Sequence, residues 1–270
     1  MKSLIRFLVY SNIWVAICVV ALAISSELLL GSENCQISLF LFFATVFIYN
    51  FQRIVKIKKG VSHERKEWFL RHKKLVYTLM ILCLSFSGYY FYFFKFYTKI
   101  AICSIGILSF LYPFGLRKIP FLKILVISMV WTIGTMLLLV LENHLLISEN
   151  TIFNLCARFL FVFAITIPFD IRDVKYDLGK VKTFPLFFGV RKSQHLAFSA
   201  LTICALISIY QYLENILFLP HLLALILLYF AAAIFVANSN QKRDDLYFSF
   251  LGESLSICAY LFLGIMLLIF

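Results

Sequence analysis

The sequence predicts an all-α, polytopic membrane protein, and three observations predict it. Hydrophobic residues make up 63% of the chain and charged ones only 14%, more apolar surface than a water-solvated domain can bury. The apolar residues gather into nine segments, most of about 20 residues, enough to cross a ~30 Å hydrocarbon core as helix. The loops between them alternate between strongly basic and nearly uncharged, the signature of positive-inside topology.

In order, the segments lie near residues 4–24, 37–57, 75–94, 99–115, 119–141, 151–169, 196–213, 216–236 and 246–270, the fourth being the short one. Lys2 and Arg6, the apolar run and Ala21-Leu22-Ala23 together imitate a secretory signal with a cleavage site. The run is long enough to span, however, and the chain behind it is itself membrane-like, so an uncleaved first helix is expected. One set of loops holds Lys2 and Arg6, nine basic residues from Arg53 to Lys74, Arg117, Lys118 and Lys123, six from Arg172 to Lys192, and Lys242 with Arg243. That set contains 22 of the 25 Lys and Arg, whereas the opposite set has only Lys95 and Lys99. The expected arrangement is an integral protein of the cytoplasmic (inner) membrane with its N-terminus inside, its C-terminus outside and loops 52–74 and 170–195 on the cytoplasmic face. The run Tyr89-Tyr90-Phe91-Tyr92-Phe93-Phe94 falls at the outer end of the third segment, where an aromatic interfacial belt is expected. No linker or extramembrane domain interrupts the pattern, which reads as one domain over residues 1–270.

The net charge of +12 does not point to nucleic acid, because the basic residues sit between apolar runs and suit anionic headgroups. Seven scattered cysteines, with no CxxC and no paired Cys/His spacing, give neither a zinc site nor a disulfide framework. Arg158 and Glu253 lie inside apolar runs. Each needs a polar partner in lipid, the two facing each other or snorkelling to opposite interfaces.

Residues 168–189, PFDIRDVKYDLGKVKTFPLFFG, carry the densest chemistry. Asp170, Asp173 and Asp177 are spaced by three and four, so all three carboxylates share one helix face. Arg172, Lys175, Lys180 and Lys182 surround them. Hard oxygen ligands on one face suit Mg²⁺, which takes one or two carboxylates and completes its shell with substrate phosphates. The same residues also read as a solvated, mixed-charge loop between membrane helices.

The pattern Asp170-x-x-Asp173-x-x-x-Asp177, then Gly179, Lys182-Thr183, Pro185 and Gly189, resembles the second aspartate-rich motif of the UbiA superfamily of intramembrane prenyltransferases. The turn between Asp177 and Thr183 is about one residue shorter than is usual there. The resemblance implies a nine-helix UbiA-type bundle, an isoprenoid diphosphate and a lipophilic acceptor as partners, and Mg²⁺ held by Asp170, Asp173 and Asp177. Lys182 adds positive charge. More weakly, Tyr112-Pro113 with Arg117-Lys118 and Lys123 is similar to the family's fourth-to-fifth connection, which implies that Tyr112 and Lys118 face the diphosphate. Segment 62–74 stands where the family has a loop that caps the pocket. Its Glu64 and Glu67 read as ligands or as helical partners of neighbouring basic residues.

The family's first motif has the form Asn-Asp-x-x-Asp-x-x-x-Asp, and here only Asn50 fits. The acidic positions hold Phe51, Ile54 and Lys58. In one reading Arg53 and Lys56 replace one Mg²⁺ and grip phosphate oxygens directly, beside Asn50, the second motif then holding a single metal. Arg53, Lys56, Lys58 and Lys59 also read as plain positive-inside anchors. In another, the site is a relic that binds an isoprenoid diphosphate without turning it over. A membrane prenyltransferase-like enzyme and a non-catalytic isoprenoid-lipid binder or carrier therefore both remain open. The inverted repeats and broken helices of secondary transporters are not visible.

Overall fold

The computed structural model describes residues 2–58, 65–115, 119–177, 179 and 181–270, the side chains of residues 2, 3, 176 and 177 excepted. Among the described residues there are helices and no strands. In chain order they are α1 (Lys2–Tyr10), α2 (Ile13–Leu30), α3 (Cys35–Lys58), α4 (Lys66–Arg71), α5 (Lys73–Phe93) and α6 (Phe96–Leu111). Then come α7 (Leu122–Glu142), α8 (Glu149–Asp177), α9 (Phe184–Phe188), α10 (Val190–Leu213), α11 (Leu219–Ala237) and α12 (Tyr247–Ile269). Eight of them, α2, α3, α5, α7, α8, α10, α11 and α12, are long and apolar enough to cross a membrane. The short fourth segment becomes α6, whose 16 residues rise only about 24 Å.

The first span starts later than its hydropathy suggests. The chain breaks at Asn12, which takes a left-handed φ of 62°, and the spanning helix is α2 rather than 4–24. Asparagine is among the few residues that enter this region readily. Its side chain is then used, the Asn12 amide donating to Asn50 Oδ1 at 2.9 Å.

Two apolar clusters hold the bundle. One joins α8, α10, α11 and α12 through Phe161, Leu201, Leu225 and Phe248. The other joins α2, α3, α6 and α7 through Val19, Leu41, Ile102 and Leu138. Lipid supplies no hydrophobic drive between helices, so close packing must do so, and small residues permit it. Ala16, Ala23, Ala197, Ala200 and Ala232 are buried at such approaches. Large apolar side chains face outward instead, Ile81, Phe230 and Leu268 among them, as lipid contact demands. Tyr89, Tyr92 and Phe93 at the end of α5 are exposed as a belt would be, while Tyr90 and Phe91 turn in against the second cluster.

Arg158 and Glu253 do not face each other. Arg158 on α8 donates from Nη2 to the hydroxyls of Ser25 at 3.1 Å and Ser26 at 2.9 Å on α2. Glu253 stands on α12 at the wall of a separate cavity. The paired serines supply acceptors that a search for charge partners along the sequence passes over.

Candidate functional site

A cavity of roughly 1000 Å³ enters the bundle between α2, α3, α6, α7, α8 and α12. Its lining changes character in the same direction along three helices. On α3 it passes from Leu41 and Ala44 through Ile48 and Tyr49 to Gln52, Arg53 and Lys56. On α8 it passes from Val162 and Ile165 through Phe169 to Arg172, Asp173 and Lys175. The antiparallel α7 shows the reverse order, from Lys123 through Val126 and Val130 to Trp131 and Gly134. One end is therefore ionic and the other apolar. Among the described residues ten Lys and Arg line it against four acids, Asp173, Asp244, Asp245 and Glu253. An excess of positive charge beside low-dielectric walls attracts an anion strongly.

Five side chains lining the ionic end, three cations and the two acids Asp173 and Asp245, form a chain of contacts. Lys123 Nζ lies 3.0 Å from Asp173 Oδ2, and Arg172 Nε lies 2.9 Å from Asp173 Oδ1. Arg172 Nη1 continues to Asp245 Oδ1 at 2.8 Å, and Arg65 Nη2 reaches Asp245 Oδ2 at 2.6 Å. The chain thus ties α7, α8, the segment ahead of α12 and the approach to α4. Arg172 also lies over the rings of Phe169 and Phe248, and Arg65 over Tyr10, which hold the guanidinium planes by cation–π contact. Pro168, inside α8, withdraws the N–H that would bond the Ala164 carbonyl just before this stretch. Gly179 and Gly189 both take positive φ, so the glycines of the motif mark turns that other residues enter at a cost.

The residues singled out in the sequence divide into three groups. Arg53, Lys56, Tyr112 and Asp173 line the cavity together. Asn50, Asp170 and Lys182 do not line it. Asn50 is fully buried, accepting from Asn12 and donating to the carbonyls of Ser11 at 2.9 Å and Val46 at 2.8 Å, so its polar group is consumed between helices. Asp170 is 1% exposed and lies 2.6 Å from Lys123 Nζ, behind the wall rather than on it. Lys182 is exposed, and its backbone carbonyl accepts from the Phe121 N–H at 3.0 Å. Lys118 and the side chain of Asp177 lie outside the described residues, as does Glu64. Glu67 pairs with Arg71 at 3.8 Å as a helical i,i+4 partner on the surface.

Arg65, Asp245 and Glu253 are site residues that motif reading leaves out. The signal for Asp245 was present: Asp244-Asp245 directly follows Lys242-Arg243 in a loop of the basic set. For Arg65 and Glu253 only the packing of distant segments reveals the shared wall.

The fit of Mg²⁺ to this wall is poor. Both oxygens of Asp173 already meet cations, and Asp170 faces Lys123. Helix α3 contains no acid at all, so no register of the first motif brings one into the cavity. Among the described residues no group of three or more His, Cys, Asp or Glu is arranged to hold a metal.

The comparisons with known proteins agree with this architecture. A search of curated proteins by sequence finds no match. A UbiA homologue from Archaeoglobus fulgidus, solved with GPP and Mg²⁺, superposes with a TM-score of 0.70 at 12% identity, covering 97% of this chain and 99% of that one. The apo structure of a UbiA homologue from Aeropyrum pernix K1 gives 0.67 at 11% identity, with 94% and 97% covered. A structure of a digeranylgeranylglyceryl phosphate synthase gives 0.59 at 15%, with 99% and 98% covered. At such identities the superpositions speak for the fold alone. The family model described as the UbiA prenyltransferase family matches residues 70–253, from the end of α4 to Glu253 on the cavity wall, and the chain belongs to that family.

Proposed function

We propose that the protein is a membrane prenyltransferase that takes an isoprenoid diphosphate into this cavity and transfers the isoprenoid group to a lipophilic acceptor. The observation that carries the reading is the polarity of the cavity, cationic at one end and apolar along the rest. A diphosphate with a hydrocarbon tail has the same two-part character. The volume stands at the upper end of the ~300–1000 Å³ of ordinary ligand sites, which leaves space for an acceptor beside the tail.

In the proposed reaction the allylic C–O bond breaks heterolytically and its electron pair leaves with the diphosphate. A nucleophilic atom of the acceptor then bonds to the allylic carbon and gives up its proton. Arg53, Lys56, Lys123 and Arg172 supply positive charge where negative charge accumulates on the leaving group, Lys123 and Arg172 held there before the reaction by Asp173, and Arg53 by Asn12. The faces of Tyr49, Trp131 and Phe169 line the stretch beyond, suited to an allylic cation, with Trp131 Nε1 donating to Tyr49 Oη at 3.1 Å. Glu253 on the same wall is placed to receive the acceptor's proton. By the charge distribution of the loops, the ionic mouth faces the cytoplasm, with the N-terminus inside and the C-terminus outside.

The absence of any acid on α3 favours a second reading, a carrier that binds the lipid diphosphate without cleaving it. Purified protein incubated with farnesyl or geranylgeranyl diphosphate and a lipid extract separates the two. Release of diphosphate with a new prenylated lipid supports the transferase. Binding without release leaves the carrier.

A further inference from the structure

We propose that the cavity grips the diphosphate directly through side-chain cations, with Arg53 as the central donor, and needs no divalent metal to do so. The inference rests on reading the cavity as an isoprenoid-diphosphate site and concerns how the head group is held there. Three observations carry it. First, the positions of α3 that face the cavity at its ionic end are Tyr49, Gln52, Arg53, Lys56 and Ile57, two of them cationic and none acidic. Phe51 instead stacks on Phe110, with ring centroids 4.8 Å apart, and Ile54 packs with Phe69 and Val76.

Second, two of the four acids that line the wall among the described residues serve as counter-ions. Asp173 and Asp245 each span two cations, which fixes Lys123, Arg172 and Arg65 in position. A metal at Asp173 has to displace Lys123 or Arg172, whereas a phosphate oxygen adds to the cations already there. Third, Arg53 has capacity left over. Its Nη2 donates to Asn12 Oδ1 at 3.3 Å, while its buried Nε makes no hydrogen bond. A buried donor without a partner is costly, and a guanidinium lining a cavity finds one readily in a phosphate oxygen. The planar fork of Arg53 suits bidentate contact with a phosphate, and Lys56 one turn further on adds a second positive charge.

The test is calorimetry on the purified full chain in detergent, titrated with geranylgeranyl diphosphate and with inorganic pyrophosphate, once in excess EDTA and once in Mg²⁺. The expected result is binding in EDTA with affinity within about threefold of that in Mg²⁺. Arg53→Gln is expected to weaken binding in EDTA by about tenfold or more, and Arg53→Lys to restore part of it. Binding that appears only with Mg²⁺ overturns the inference and leaves the cavity's function standing. No binding of geranylgeranyl diphosphate in either condition overturns both. Equal affinity of Arg53→Gln and the unaltered protein in EDTA removes Arg53 from the site. The comparison of EDTA with Mg²⁺ needs no variant, so it decides the question even if Arg53→Gln folds poorly.

Discussion

Replacing Asn50 by alanine separates the two roles open to this residue, that of a ligand and that of a tie between helices. In the structure its carboxamide accepts from Asn12 Nδ2 and donates to Ser11 and Val46 carbonyls, all in a fully buried setting. The Val46 carbonyl keeps its α-helical partner when the side chain goes. Asn12 Nδ2 and Ser11 O lose theirs. A side-chain hydrogen bond between membrane helices averages about 0.6 kcal/mol and reaches about 1.7, so the two lost bonds total about 1–3 kcal/mol. The loss is expected as reduced thermal stability in detergent. Diphosphate affinity is expected to fall far less than in Arg53→Gln, because Asn50 reaches the cavity only through Asn12 and its contact with Arg53. A double-mutant cycle of Asn12→Ala and Asn50→Ala is the sharper assay, with an expected coupling of about 0.6–1.7 kcal/mol. Strict additivity would refute the tie. Loss of diphosphate binding with full stability would return Asn50 to the ligands.

Four further outcomes are expected. Gly252→Ala places a Cβ 2.6 Å from Phe235 Cζ and 3.2 Å from Phe169 Cζ, so the rings must shift. The melting temperature should drop by an amount matching about 1–3 kcal/mol of overpacking. Asp245→Asn strips the shared counter-ion from buried Arg65 and half-buried Arg172 and should destabilise by about 3 kcal/mol in the same assay, an unchanged melt speaking against the network. In a cycle of Arg158→Ala and Glu253→Ala the effects should add within about 0.5 kcal/mol, since the two side chains serve different cavities. Glu253→Gln should retain geranylgeranyl diphosphate binding but slow prenyl transfer by about 10²–10⁴-fold, and undiminished transfer removes Glu253 as proton acceptor.

The bundle was legible in the sequence because lipid allows only helices or closed barrels to span it, and runs of about 20 apolar residues mark the helical kind. The nine segments reappear as eight long helices and the short α6. Where the reading slipped, local conformation had overruled hydropathy, as at Asn12, whose left-handed backbone starts the first span late. The site was legible only in part. Spacing set Asp170, Asp173 and Asp177 on one helix face, and Asp170 and Asp173 do both meet Lys123, but a three-residue step rotates a helix by less than one full turn. That offset puts Asp173 on the cavity wall and Asp170 behind it. The motif register chosen at Asn50 met the same difficulty. Tyr49 and Arg53 face the cavity, while Asn50 turns to Asn12. The counter-ions were hidden for a different reason. Arg65 and Asp245 are 180 residues apart in the chain, and nothing local to either predicts the other.

The central claim is that the tail of an isoprenoid diphosphate lies along the apolar length of this cavity. Photo-crosslinking with a geranylgeranyl diphosphate analogue carrying a diazirine at the far end of its chain tests it most directly. The expected adducts fall on α2, α3, α6 and α7 at residues such as Val19, Leu41, Ala44, Ile105 and Gly134, and excess geranylgeranyl diphosphate suppresses them. Adducts that resist competition, or that fall on outward-facing residues such as Ile81, Tyr92 or Phe230, would contradict the claim.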